Sequence, residues 1–334
     1  MTTVSIRLTA PEISELWGAY MNDSLTACML KTFLYKVEDP EIKPIIEQSL
    51  TNSLNNIKGI EEIFNRESYP IPVAFNENKD VNINSPRIFS DSYMLEYLIQ
   101  MGQIGMKAYS LAVAFSTRSD VYHFFAKCLH ETQQMHEQAV QISLKQGAYI
   151  RPPNLPIPKK TDFVKKQSFL QGWFGNRRPV TGPEVSHLFS NIQRNALGAA
   201  TMTGFAQTTQ SKELRRYFQR GKEIANKHIE IFSSILREND LPVPMTWDTE
   251  VTDSTSFVFS DKLMLYQTTA LNALGLSYYG LSIANSPRHD LGVHYTRLMS
   301  EIVQFTNDGT NLMIDHGWLE QPPQAAERDK LKNE

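Results

Sequence analysis

The chain has 334 residues, 41% of them apolar and 21% charged, with a formal net charge of −3 and a pI near 6.3. This suits a soluble globular protein of two ordinary domains, argues against a general nucleic-acid binder, and offers no run near the ~18 apolar residues of a membrane span. Two cysteines, Cys28 and Cys128, are too few for a disulfide framework, and Met1–Arg7 has no apolar signal core, so the expected setting is cytosolic.

The first predicted helix runs over 11–36. Thr9 before Pro11 and Glu12 suits an N-cap whose first turn needs no proline N–H. A tight link, Val37–Pro40, leads to a second helix over 40–66. Residues 67–90 are rich in Pro, Asn, Asp and Ser and read as a long crossover. Asp91, after Phe89 and Ser90, opens a third helix over 91–116, and Ser116–Arg118 joins it to a fourth over 119–147, ended by Gly147 as a left-handed cap.

The same order then returns. Thr9-Ala10-Pro11-Glu12 recurs at Thr181-Gly182-Pro183-Glu184, 172 residues on; Phe89-Ser90-Asp91 recurs at Phe259-Ser260-Asp261, 170 residues on. The first copy therefore carries two extra residues in a loop, and the period is that of a duplicated domain. Helices are predicted at 183–209, 211–238, 261–285 and 287–316, with a crossover at 239–260 and a Gly317 cap. In the last helix Leu291, Leu298, Phe305 and Leu312 recur every seven residues, one stripe facing a bundle core. Short links around one long middle crossover give an all-α, ferritin-like arrangement in each copy. The expected domains are 8–150 and 181–323, with a linker at 151–180 and a polar tail at 324–334. Lys159, Lys160, Lys165, Lys166, Arg177 and Arg178 in and around the linker read as a solvated stretch, with an anion or partner contact as the alternative.

Polar residues stand at mid-helix in each predicted core. In the second copy they are Asn195, His228, Asn272 and Glu301; the matching first-copy positions are Asp23, Asn56, Gly102 and Glu131. A two-iron site in this fold needs Glu-x-x-His on two helices. Here the fourth helices read Glu131-Thr132-Gln133-Gln134 and Glu301-Ile302-Val303-Gln304, so an amide replaces the imidazole in both. A hydrogen-bonded polar core is the preferred reading, with Asn, His and Gln satisfying the glutamates. A mononuclear iron, manganese or zinc site on His228 and Glu301 stands beside it, as does a small molecule in the central layer. His123, His130, His136, His289, His294 and His316 do not show metal-ligand spacing and read as surface or interface residues; the pairs Tyr278-Tyr279 and Trp173-Phe174 read as packing. Phosphate-loop, dinucleotide and nucleophile-elbow motifs are absent, and no catalytic residue is assigned.

Several long segments carry a family resemblance: Tyr20-Met21-Asn22-Asp23-Ser24, Tyr149-Ile150-Arg151-Pro152-Pro153, Asp162-Phe163-Val164-Lys165-Lys166-Gln167-Ser168-Phe169-Leu170, Lys227-His228-Ile229-Glu230-Ile231-Phe232, Met245-Thr246-Trp247-Asp248 and Gly317-Trp318-Leu319-Glu320-Gln321-Pro322-Pro323. Over about 8–323 the chain resembles a duplicated, ferritin-like family of unknown function from spore-forming bacteria, many of whose members carry a provisional spore coat label. The resemblance implies a structural role with protein partners or self-association, and a spore coat location as an alternative to the cytoplasm; charge and hydropathy add the expectation of no nucleic-acid or membrane partner. Fold alone does not fix function.

Overall fold

Among the described residues, eight long helices form close to where the sequence places them. The computed structural model describes residues 6–173 and 177–328; Met1–Ser5, Phe174 of the Trp-Phe pair, and the tail from residue 329 lie outside the described residues. In chain order the helices are α1 (Ala10–Lys36), α2 (Lys43–Arg66), a one-turn α3 (Glu77–Asp80), α4 (Asp91–Phe115), α5 (Ser119–Lys145), α6 (Gly182–Thr208), α7 (Lys212–Arg237), α8 (Asp261–Ala284) and α9 (His289–Asp315). The protein is all-helical, two helical bundles in tandem along the chain, each with its long crossover between the second and third main helices. The short α3, which the sequence did not predict, sits in the first crossover, where Asn76 caps it by accepting from the Asn78 N–H.

The N-terminal caps follow the Thr-x-Pro-Glu pattern. Thr9 donates its backbone N–H and hydroxyl to the Glu12 carboxylate at 2.8 Å, and Thr181 does the same to Glu184 at 2.7 and 3.0 Å. Each glutamate also ties helix one to the link between helices three and four. Glu12 accepts from the backbone N–H groups of Thr117 and Arg118 at 2.8 Å, and Glu184 from that of Arg288 at 3.2 Å. Burial pushes the Glu12 carboxyl up, but the backbone donors outweigh it and hold the group at about 2. The third helices open at Asp91 and Asp261, as the sequence indicates, and the serine before each is the cap. Ser90 and Ser260 accept from the N–H groups of Tyr93 and Leu263 at 3.1 Å, because a hydroxyl one residue earlier is placed to reach the N3 amide. Asp91 instead meets Arg87 at 2.7 Å and Asp261 accepts from the Thr209 hydroxyl at 2.6 Å. Gly147 and Gly317 end their helices at φ +67° and +66°, as the pattern predicts.

Packing divides the chain into two compact units that interleave in sequence. One contains residues 1–83, 98–142 and 317–334; the other contains 84–97 and 143–316. In the first, α1 packs on α2, and Tyr109 of α4 lies 6.2 Å from Phe125 of α5, ring to ring. Its core includes Leu16, Met29, Phe33, Ile46, Phe64 and Phe125. Glu320 closes it: the two carboxylate oxygens accept from the N–H groups of Val73 and Ala74 at 2.7 and 3.0 Å. In the second unit α6 packs on α7 and α8 on α9 around Leu188, Phe205, Phe218, Phe232, Leu263 and Leu298. Residues 84–97 join it because Tyr93 bonds Thr201 at 2.7 Å, and Thr252 donates its N–H to the Ile88 carbonyl at 2.9 Å.

The basic stretch is not uniformly solvated. Lys159, Lys160, Lys165 and Lys166 are exposed, but Arg178 lies 4.0 Å over the Phe169 ring and grips both Glu184 oxygens at 2.7 and 2.9 Å. Arg177 meets Glu238 at 2.9 Å. A bidentate pair with a buried carboxylate outweighs the hydration of an arginine, which is weakly hydrated to begin with. Among the described residues no helix is long and apolar enough to cross a membrane.

Candidate functional site: a polar layer in each bundle

In the second unit, His228 of α7 is fully buried and anchors the layer. Its Nε2 lies 3.0 Å from Glu301 Oε2 on α9, and its Nδ1 lies 2.9 Å from the Tyr279 hydroxyl on α8. Asn195 of α6 donates to that same hydroxyl at 2.9 Å and to the Asn191 carbonyl at 2.8 Å. Outside, the Lys227 ammonium donates to both Glu301 oxygens at 2.8 and 3.1 Å. Burial lowers the His228 pKa more than Glu301 raises it. Burial raises that of Glu301, but Lys227 and His228 outweigh it and leave the carboxyl below its ordinary value. A neutral imidazole beside an ionised carboxylate sets the tautomer. Nε2–H donates to Glu301, so Nδ1 accepts from Tyr279.

The first unit builds the same layer from different residues. The Tyr109 hydroxyl donates to Asp23 Oδ2 at 3.0 Å, Asn56 donates to Asp23 Oδ1 at 3.4 Å, and the Cys128 thiol reaches Asn56 Oδ1 at 3.2 Å. Burial pushes the Asp23 carboxyl up to about 7 against the hydrogen bonds from Tyr109 and Asn56. Lys127 stands 3.5 Å from Glu131 Oε1, while Glu131 Oε2 is buried without a hydrogen-bond partner among the described residues.

Of the sequence candidates, Asn195, His228 and Glu301 come together, and so do Asp23 and Asn56, with Glu131 at the same level. Asn272 does not join them; it lies beside Tyr217, about three turns before His228 on α7. At its twin Gly102 the space is taken by His136, whose Cβ would stand 2.6 Å from an added methyl group. Gln134 and Gln304 are exposed and leave the glutamates to other partners: Glu131 and Glu301 are only partly buried at the edge of the core, so a residue about 60° further round the helix already faces solvent. Tyr109 was missed and Tyr279 was read only as packing, and one signal could have found their hydrogen-bonding role. They are twins, 170 residues apart, and a hydroxyl kept at mid-helix in both copies is a different clue from one present once. Among the remaining histidines, His123, His130, His289 and His316 are exposed, and His294 lies 6.3 Å from the half-exposed Trp173, ring to ring.

A cation on His228 and Glu301 would compete with the Lys227 ammonium for the same carboxylate. Among the described residues no group of three His, Cys, Asp or Glu side chains is placed to hold one metal.

Comparison with curated proteins gave no match. Among solved structures, a protein named "putative spore coat protein" from Bacillus halodurans C-125 is similar at 16% identity, with a TM-score of 0.42, covering 46% of this chain and 98% of its own. A family model, DUF3231, described as a protein of unknown function, matches residues 1–161 and again 168–331. The two successive matches together span nearly the whole chain, and the protein belongs to DUF3231.

Proposed function

We propose that this is a non-catalytic structural or interaction protein, a spore coat or sporulation-associated component with ferritin-like bundles whose polar layers hold helices together. The observation that carries the reading is the Lys227–Glu301 contact at 2.8 Å. The carboxylate that a metal site would need is already neutralised by a side chain, and the second nitrogen of His228 is engaged by Tyr279 at 2.9 Å. The spore coat assignment rests on the family resemblance of the repeated motifs, and it implies protein partners or self-association.

The second reading is a mononuclear iron or manganese site on His228 and Glu301. The close approach of Nε2 and Oε2 at 3.0 Å favours it, and it requires Lys227 to swing out. Elemental analysis of protein purified without a His-tag or chelator separates the two, with His228→Ala alongside. The structural reading expects no metal above background even after iron and manganese are offered. About one metal ion per chain, lost in His228→Ala, overturns it.

A further inference from the structure

The second unit also holds a cavity of about 620 Å³ bounded by α6, the first half of α7 and the crossover at Thr255. None of its lining residues belongs to the polar layer. Its volume falls in the range of small-molecule sites. Met202 and Ala206 form an apolar base, and Gln207, Arg215, Gln219 and Lys222 supply polar groups. Two of the lining residues are cations and none is a carboxylate, in a chain whose net charge is −3.

The donors are held in place. Gln207 donates its amide to the carbonyls of Thr252 and Ser254 at 2.9 and 3.2 Å, which keeps its oxygen available as an acceptor. Arg215 is fixed by the carbonyls of Ala206 and Thr209 at 3.3 and 3.0 Å, contacts that orient the guanidinium without neutralising it. Lys222 has Asp248 at 4.0 Å, the outer limit of an ion pair. A guanidinium held by carbonyls alone, with a loosely paired ammonium across an apolar base, favours an anionic guest, because little ordering of Arg215 and Gln207 is left to do on binding.

The first copy supplies an internal comparison. At the twin positions Glu38 and Glu47 stand for Gln210 and Gln219, and Leu50 stands for Lys222. Lys31, in the place of Thr203, pairs with Glu77 on α3, which packs on α1. The first copy keeps a cation at the Arg215 position, Lys43, but sets Glu38 and Glu47 near it and Leu50 in the place of Lys222, so carboxylates offset a charge that no lining carboxylate offsets in the second copy.

We propose that this cavity of the second unit binds small organic anions bearing a carboxylate or phosphate next to hydrogen-bonding groups. Lys222 and Arg215 meet the charge, and Gln207 and Gln219 meet the polar groups. The test is thermal unfolding of the full chain with citrate, glucose 6-phosphate or uncharged glucose at constant ionic strength. Wild type is compared with Lys222→Leu and Gln219→Glu, each copying the first repeat. Both positions are partly or fully exposed, so neither substitution threatens the core. A saturable rise in midpoint with citrate or the phosphate ester, absent with glucose and weakened about tenfold in affinity by either variant, is the expected result. Citrate against phosphate ester decides which anion the site prefers. No shift with either anion, an equal shift with glucose, or an unchanged response in both variants overturns the proposal.

Discussion

The Tyr279 hydroxyl stands 2.9 Å from His228 Nδ1 and 2.9 Å from the Asn195 amide, linking three helices of the second bundle through one oxygen. Each group has one role. Asn195 donates to the phenol oxygen, the phenol donates to the imidazole, and the imidazole donates to Glu301. Such a one-way chain leaves no member unsatisfied, which a buried network requires if it is to stabilise rather than cost.

Tyr279→Phe removes that hydroxyl and keeps the ring. It strands a buried imidazole nitrogen and an amide N–H, so the expected loss is about 1–3 kcal/mol in urea unfolding. The ring contacts with Phe232 and Tyr295, at 5.4 and 5.6 Å, are untouched, so the m-value stays constant. A loss below the measurement error would show that the chain of hydrogen bonds contributes nothing to stability.

Asp23 makes the first bundle sensitive to pH. Its carboxyl titrates near 3.8 when unfolded and is raised to about 7 when folded. The folded state therefore holds the proton more tightly. Stability from this group is complete below about pH 4 and is lost as pH rises through about 7, by up to ~4 kcal/mol. Asp23→Asn places the amide of its twin Asn195 there and abolishes the term. Glu12, held at about 2, works in the opposite direction at lower pH in both proteins, so it drops out of the difference. Unfolding free energies of wild type and variant between pH 4.5 and 8.5 should diverge, the variant gaining as pH rises; parallel curves would refute the assignment.

Ser68 and Asp240, twins at the ends of α2 and α7, sit at φ +53° and +54°. Both close the helix in the same way, with the next residue's N–H reaching back to Phe64 or Leu236 at 2.9 and 3.1 Å. A side chain is strained there and glycine is not. Ser68→Gly should stabilise by about 0.5–1 kcal/mol, and Asp240→Gly by less, since aspartate tolerates this region better than most residues. Thermal unfolding of both variants checks the sign and the order.

Local signals determined a great deal. Threonine caps, glycine stops and apolar periodicity placed all eight long helices to within about three residues, because helix boundaries depend on a few neighbouring groups. Their mid-helix positions put Asn195, His228 and Glu301 at one level, since equal distances along antiparallel helices meet at equal heights; Asn272, expected with them, lies beside Tyr217 instead. What the sequence could not give was rotation about each helix axis. That is fixed by the packing of whole faces, and it turned Gln134 and Gln304 outward while bringing Tyr109 and Tyr279 in. Nor could spacing show that residues 84–97 join the unit of α6–α9. That grouping rests on Tyr93 meeting Thr201 and Ile88 meeting Thr252, contacts more than 100 residues apart that form only once both elements are folded. Periodicity tells a helix which side is apolar; only the assembled core decides which polar group at its edge finds which partner.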